Sequence, residues 1–330
     1  MPLHPLIVSE TDLQPLLQDP AAMDAAMDAV EKATIAEYLG RVRSANLVDQ
    51  TQTDRPNLLQ IHFATDDSFV TGFQVFGNTP GMPRTNTRYV VLLDAETRAL
   101  LGIVPYEGLS PVRVGASTGV AAKYLAPRGA QTLAILGSSK QARRQLHAIV
   151  RAVPSIDRVC VYSPTAEHRV AFAREVSEWL GIRVEAVDSA EAAVRGADIV
   201  DSATNTRTPV LEWSWIKPGA LVTQIGGGQL PDEVLTEPRI VLPTWQSTED
   251  ESTGREPFGS AIRSGRLRRS DIAAELGQVI LGEVQVRERE DQTVVFDCGR
   301  INIWAVAVTY WAYQWARERE IGTSVSLSAV

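Results

Sequence analysis

One run of small residues stands where a chain can hold a phosphate. Leu133-Ala-Ile-Leu136 is an apolar strand, Gly137-Ser-Ser-Lys-Gln-Ala142 follows it, and ARRQLHAIVRA reads as a helix. Gly137 permits a tight turn, the small Ser138, Ser139 and Ala142 let the backbone approach a pyrophosphate, and Gln141 beside them is a further candidate cofactor contact. The helix N-terminus adds unpaired N–H groups and a favourable dipole. Alone, G-x-S-x-x-A fits an ordinary strand–helix turn equally well; its weight comes from the strands that follow. The next strand, Arg158–Tyr162, ends in Ser163, with Thr165 and Arg169 behind it. An acidic residue there would take a ribose 2′-hydroxyl, whereas two hydroxyls and an arginine suit a 2′-phosphate. NADP(H) is therefore favoured over NAD(H), although Arg169 fits a solvated helix face as well.

Other chemistry is narrowly bounded. The chain has four lysines, Lys32, Lys123, Lys140 and Lys217, so lysine-based chemistry has four places to be. His4, His62, His147 and His168 are scattered, and no His/Cys/Asp cluster has metal spacing, so no metal is expected. His62 lies on an expected strand, where it suits a proton donor or an ordinary surface histidine. No G-x-S-x-G elbow marks a hydrolase. A net charge of −8 argues against nucleic acid and anionic membranes as partners. Cys160 and Cys298 are too few and too far apart for a disulfide framework, the N-terminus has no leader pattern, and no run spans a membrane. A cytoplasmic protein is expected.

The elements that must carry these residues fall into two styles. Residues 20–40 read as an amphipathic helix, and Leu59–Phe63, Phe69–Phe76, Tyr89–Leu93 and Leu100–Val104 as short strands. A second helix, SPVRVGASTGVAAKYLA, has Ser110 as N-cap and Pro111 at its first position. Beyond Pro127, strands at 131–136, 158–162, 182–187, 197–203, 220–225 and 239–242 alternate with helices. That rhythm predicts an α/β fold, a doubly wound parallel sheet of the Rossmann kind. Helices are expected at 271–281 and 302–319. The aromatic content of the last one predicts that it packs back on the N-terminal region. The expected domains are thus 1–126 completed by 302–330, a discontinuous α+β domain, and 127–301, the dinucleotide-binding domain. Half-buried strands between 58 and 104, with the aromatic helix, offer enough apolar surface to predict a homodimer.

Five blocks resemble the ornithine cyclodeaminase/μ-crystallin family. They are Arg113-Val-Gly-Ala-Ser-Thr-Gly-Val-Ala-Ala-Lys-Tyr-Leu-Ala126, the Gly137 loop with Gln141-Ala142, Gly196–Thr204 with Pro209-Val-Leu, Ile216–Ala220, and Ala274–Gly282 with Thr293–Phe296. The resemblance runs from about residue 20 to 322. It implies a dinucleotide domain beside a substrate and dimerisation domain, and hydride transfer between nicotinamide and a carbon bearing nitrogen. It also implies that Arg113 grips a substrate carboxylate, and that Ala203, Thr204 and Gly226 lie along the cofactor. Arg41, Arg43 and Arg55 are candidates for a second carboxylate-binding arginine.

The sequence departs from that family in three places, one of them the acidic end near the C-terminal helix, which here reads Asp297-Cys-Gly-Arg-Ile-Asn-Ile-Trp304. Where a lysine is usual, Thr71-Gly-Phe-Gln-Val-Phe-Gly-Asn78 offers Phe73 or Gln74. Where an aspartate is usual, Ile225-Gly-Gly-Gly-Gln229 offers Gly228, with Asp232 and Glu233 just beyond. Without that lysine and aspartate, ornithine cyclisation with loss of ammonia is disfavoured. The expected activity is NAD(P)H-dependent reduction of an imine or ketimine of an amino-acid-like substrate. Arg113 would orient the substrate, and His62, Asp232 or Glu233 would supply the proton. The competing readings are an ornithine cyclodeaminase-like lyase with recycled NAD+, and a cofactor-binding protein without turnover.

Overall fold

A computed structural model describes residues 4–49, 58–66, 70–78, 88–251, 254–299 and 301–327. Arg55 lies outside them. In chain order the strands and α-helices begin with β1 (Leu6–Ile7), α1 (Glu10–Gln18), α2 (Ala22–Tyr38), β2 (Val42–Asp49), β3 (Leu58–Asp66), β4 (Val70–Asn78), β5 (Tyr89–Asp94), β6 (Leu100–Pro105) and α3 (Leu109–Leu125). They continue with β7 (Thr132–Leu136), α4 (Lys140–Ala152), β8 (Arg158–Tyr162), α5 (Ala166–Leu180), β9 (Val184–Ala186), α6 (Ala190–Val194), β10 (Ile199–Ser202), β11 (Leu221–Gln224) and β12 (Arg239–Leu242). The remainder are α7 (Trp245–Glu249), α8 (Phe258–Arg263), β13 (Ile272–Glu275), α9 (Leu276–Ile280), β14 (Val294–Asp297), α10 (Asn302–Glu318) and β15 (Thr323–Ser324).

The chain forms two compact units, residues 1–113 with 302–330 and residues 114–301. They part within α3, whereas the junction read from the sequence, 126/127, falls at the end of that helix.

The first unit is a sheet ordered β15-β1-β6-β5-β4-β3-β2, antiparallel except where β1 runs beside β6. Its core follows from alternation. Val90, Leu92 and Val104 are buried, while Val91, Leu93 and Ile103 between them remain half-exposed. The buried face receives α10: a Cβ at Gly72 would sit 2.9 Å from Val306 Cγ1. Trp304, fully buried, donates its indole N–H to Thr34 Oγ1 at 2.8 Å and so ties α10 to α2. The aromatic helix is thus covered within its own unit. Helix α1 opens on a capping box, in which Ser9 Oγ accepts from Asp12 N and the Asp12 carboxylate accepts from Ser9 N. Helix α3 starts at Leu109, so Ser110 is already helical and Pro111 stands in the first turn, where its missing N–H is harmless.

The second unit is an eight-stranded, wholly parallel sheet ordered β13-β12-β14-β11-β10-β7-β8-β9. Its central strands are buried on both faces, so β7 is apolar from Leu133 to Leu136, and β10 and β11 open on apolar pairs before turning polar toward their C-terminal ends. The chain leaves β7 toward β8 and β9 and returns on the other side of β7 as β10, so the topological switch point lies between β7 and β10. The helix expected at 271–281 is half strand. Ile272–Glu275 pairs with β12, and only Leu276–Ile280 is helical. Ala-Ala-Glu-Leu has helical propensity, but the open edge of β12 outweighs it.

Candidate functional site

The turn after β7 is shaped around one glycine. Gly137 has φ +125°, and its N–H donates to Tyr162 O at 2.8 Å, binding the turn to the end of β8. A Cβ there would lie 2.4 Å from Ala203 O, at the end of β10. Two neighbouring strand ends therefore converge on a residue that must lack a side chain. Ser139 caps α4 by accepting from Ala142 N at 3.3 Å. Gln141 Oε1 is buried and has no hydrogen-bond partner among the described residues. A helix N-terminus at the switch point of a parallel sheet, with a Cβ-free approach, fits a dinucleotide pyrophosphate.

At the end of β8, Ser163 is buried and accepts from Ser138 Oγ at 3.0 Å. Thr165 is exposed at the start of α5. The Arg169 guanidinium folds back on this corner, donating to Ser163 O at 3.2 Å and to Asp188 Oδ1 at 2.7 Å. It also lies over the Tyr162 ring, 5.9 Å from the centroid. Asp188 is itself almost wholly exposed, so the outer edge of Arg169 is paired only with a solvated carboxylate.

Past β10 and β11 the chain builds a cleft of about 370 Å³, lined by Thr204, Thr206, Gly226–Gly228 and Arg255 among others. Gln229 fixes its wall. Its Oε1 accepts from Ser202 Oγ at 3.0 Å, and its Nε2 donates to Thr204 O at 2.6 Å. The Gly228 N–H donates to Glu256 O at 2.8 Å, closing the other side.

Two fully buried carboxyl groups lie in this unit. Burial pushes Asp201, on β10, up to about 7, against the lowering effect of the Thr223 hydroxyl that donates to it at 2.6 Å. With its amide nitrogen toward β10, Gln145 of α4 donates to both Asp201 oxygens, at 3.0 and 3.3 Å. Asp297, at the end of β14, is likewise raised by burial, to about 6, although Arg255, Gln224 and the Gly299 N–H pull the other way.

In the first unit, Arg113 donates from Nε to the Tyr106 hydroxyl at 3.2 Å, while its Nη1 is buried with no partner among the described residues. Tyr106 is buried and holds one edge of the guanidinium; the other edge is an unused donor. Gln74 is buried on the same face of β4 as Gly72, and Phe73 is on the opposite face. His62 pairs through its backbone with Gln74 and with Asn46, and its side chain lies outside the described residues. Asp232 is exposed on a 3-10 turn in the second unit, 3.8 Å from Arg266, and Glu233 beside it is exposed. Arg41 and Arg43 are exposed near the start of β2.

The structure thus gathers Gly137, Ser138, Ser139, Gln141, Ala142, Ser163 and Arg169 at the ends of β7 and β8. Ala203, Thr204 and Gly226 stand at the ends of β10 and β11. Sequence reading missed Tyr106, Gln224, Arg255 and the buried acids Asp201 and Asp297. Asp201 and Asp297 carried a signal, each the one charge in a short buried strand, Ile199–Ser202 and Val294–Asp297.

A model of the ornithine cyclodeaminase/mu-crystallin family matches residues 13–320. A Delta(1)-pyrroline-2-carboxylate reductase of Bacillus cereus is 31% identical over 247 residues, 73% of this chain and 75% of that protein. The structure of Thermococcus litoralis Delta(1)-pyrroline-2-carboxylate reductase with NADH and L-proline is similar with a TM-score of 0.85. The two are 26% identical, and the match covers 97% of this chain and 100% of that one. An archaeal alanine dehydrogenase dimer with bound NAD gives a TM-score of 0.85 at 25% identity, over 99% and 100% of the two chains.

Proposed function

Because the chain belongs to the ornithine cyclodeaminase/mu-crystallin family, we propose that it is an NAD(P)H-dependent oxidoreductase that reduces the C=N bond of an amino-acid-like imine or ketimine. The observation that carries the substrate class is Arg113. A guanidinium with one edge held by Tyr106 and the other buried and unpaired among the described residues is prepared for a planar anion such as a carboxylate. A buried donor left unpaired costs about 1–3 kcal/mol, which a bound carboxylate would recover.

The residues at the ends of β7, β8, β10 and β11 would hold a nicotinamide dinucleotide: Gly137 to Ala142 at the pyrophosphate, Ser163, Thr165 and Arg169 at the adenosine ribose, and Ala203, Thr204 and Gly226 along the rest. When bound, the nicotinamide supplies the hydride. The chain's own work is then to orient the imine acid through Arg113 and to deliver one proton to the nitrogen. His62 is our candidate donor, ahead of the ion-paired Asp232 and the neighbouring Glu233. No lysine lies between Lys32 and Lys123, so the reading begins from a preformed imine rather than from lysine-assisted loss of ammonia.

The purified protein should oxidise NADPH or NADH with Delta(1)-pyrroline-2-carboxylate and release little ammonia from L-ornithine with NAD+. Robust proline and ammonia formation from ornithine would overturn the reading. Arg113→Lys should lower kcat/KM by ~10–100-fold, since a point charge replaces the bidentate fork. An unchanged value would remove Arg113 from the site.

Within the cofactor class we propose NADP(H). Arg169 sits at the β8 end with a solvated carboxylate as its outer partner, which a 2′-phosphate can displace. Arg169→Ala should weaken NADPH by ~10-fold or more and NADH by less than about threefold, measured by fluorescence titration. A tighter wild-type affinity for NADH would refute this.

We also propose a homodimer, built on the half-exposed face of the first unit's sheet, where Phe73, Val91 and Ile103 are cross-strand neighbours. Light scattering at micromolar concentration should report twice the chain mass, and a monodisperse monomer would exclude it. Both cysteines are buried and neither is in a disulfide, and no helix of the described residues is long and apolar enough to cross a membrane. The two thiols fit a reducing, cytoplasmic setting.

A further inference from the structure

Many arginines of this chain face an acid. Arg143 meets Glu175 at 2.6 Å, Arg169 meets Asp188 at 2.7 Å and Arg195 meets Glu191 at 2.6 Å. Arg113 does not. Its Nε donates to a neutral phenol, Tyr106 Oη, at 3.2 Å, and no carboxylate pairs with it among the described residues. A carboxylate partner would neutralise the guanidinium and compete with an anionic ligand. A phenol oxygen holds the group still and leaves its charge intact.

Tyr106 is itself fixed. It is 1% exposed, its N–H donates to Arg88 O at 2.8 Å, and its C=O accepts from Ser110 N at 2.8 Å. The turn that follows it is clamped on α1: Gly108 N donates to Glu10 Oε1 at 3.3 Å, and a Cβ at Gly108 would lie 2.6 Å from Leu17 Cδ1. Arg113 stands 7 residues on, about two helical turns, which brings both side chains to one face. Both residues belong to the first unit.

A guanidinium offers a carboxylate two bidentate edges. One joins Nε to a terminal nitrogen, the other joins the two terminal nitrogens, and they face directions about 120° apart. Tyr106 closes the first edge. Nη1 belongs to the second, and it is a buried donor with no acceptor among the described residues. We infer that Tyr106 is a positioning residue of the reaction: by occupying Nε it leaves Arg113 one bidentate edge, so that a substrate carboxylate docks in a single orientation. This rests on the reductase reading, with Arg113 as the carboxylate anchor. The orientation matters because a misplacement on the order of 1 Å at the reacting carbon costs ~100-fold in rate.

Tyr106→Phe keeps the ring and removes the hydroxyl. With Delta(1)-pyrroline-2-carboxylate and NADPH, kcat should fall by ~10–100-fold while KM changes by less than about threefold, because the reopened edge still binds the carboxylate but misplaces it. In an Arg113→Lys background the same change should cost less than about twofold, since a lysine has no edges to choose between. An unchanged kcat, or a loss of full size in the Arg113→Lys background, overturns the assignment. Guanidinium nitrogen NMR with pyruvate as the probe needs no turnover. In the wild type, pyruvate should shift the Arg113 Nη resonances and leave Nε in place; in Tyr106→Phe it should shift Nε as well. A wild-type Nε that moves on binding overturns the role, and so does an Arg113 signal that ignores pyruvate; neither result requires the variant to fold. The expected pattern in a protein that reduces no imine would uphold the single edge and strike only the reductase reading.

Discussion

A Gly137→Val protein should bind neither NADPH nor NADH measurably, with a dissociation constant raised by more than ~100-fold. Two independent effects combine. The residue sits at φ +125°, a conformation closed to a β-branched side chain at a cost of about 1–3 kcal/mol. Its new Cβ would also lie 2.4 Å from Ala203 O, so the β7 turn and the end of β10 must separate. That separation moves the first turn of α4, whose N–H groups are the proposed phosphate ligands. The thermal midpoint should fall as well, so binding is to be measured by titration at a temperature where circular dichroism shows the variant folded. Retention of wild-type affinity by that folded variant would place the dinucleotide elsewhere.

The second large effect is a pH dependence of stability carried by Asp201. Its folded-state pKa stands at about 7 against an ordinary 3.8. Between those values the folded protein holds a proton that the unfolded chain has released, so stability declines as pH rises through this window. The difference amounts to about 4 kcal/mol by pH 8, taking ~1.4 kcal/mol per pKa unit. Asp201→Asn keeps an acceptor for Thr223 and Gln145 and removes the titration. The variant should match the wild type near pH 4 and exceed it by several kcal/mol at pH 8 in urea unfolding. Asp297, raised to about 6, contributes a slope of the same sign in both proteins and cancels from the comparison. Parallel stability curves across pH 4–8 would show that Asp201 is not buried as an acid.

The parallel sheet was legible because β7, β8 and β12 are short, mostly apolar runs and β10 and β11 open on apolar pairs, all set apart by turn residues, as burial on both faces demands. The turn at Gly137 was legible because its neighbours are small. Strand β2 was not, because it lies at the sheet edge and its first residues are mostly exposed, which removes the alternation. Helix α1 was hidden by Pro15, which stands inside it. At the candidate site, distance along the chain set the limit. Gln224 and Asp297 are 73 residues apart and become neighbours only through strand register. Tyr106 has no mark of its own until α3 places Arg113 beside it, 7 residues on.

The first unit is sewn from both ends of the chain, and that has a consequence for biosynthesis. Helix α10, which covers the sheet and locks onto Thr34, is separated from β6 by the whole of residues 114–301. At about 5–20 residues per second, the ribosome needs roughly 10–40 s to travel from Arg113 to the end of α10. Throughout that interval the sheet lacks the helix whose Val306 closes on Gly72, whereas the second unit is continuous in sequence. The N-terminal third therefore waits for its covering helix until the end of synthesis, and its strands are the part of the chain left incomplete longest.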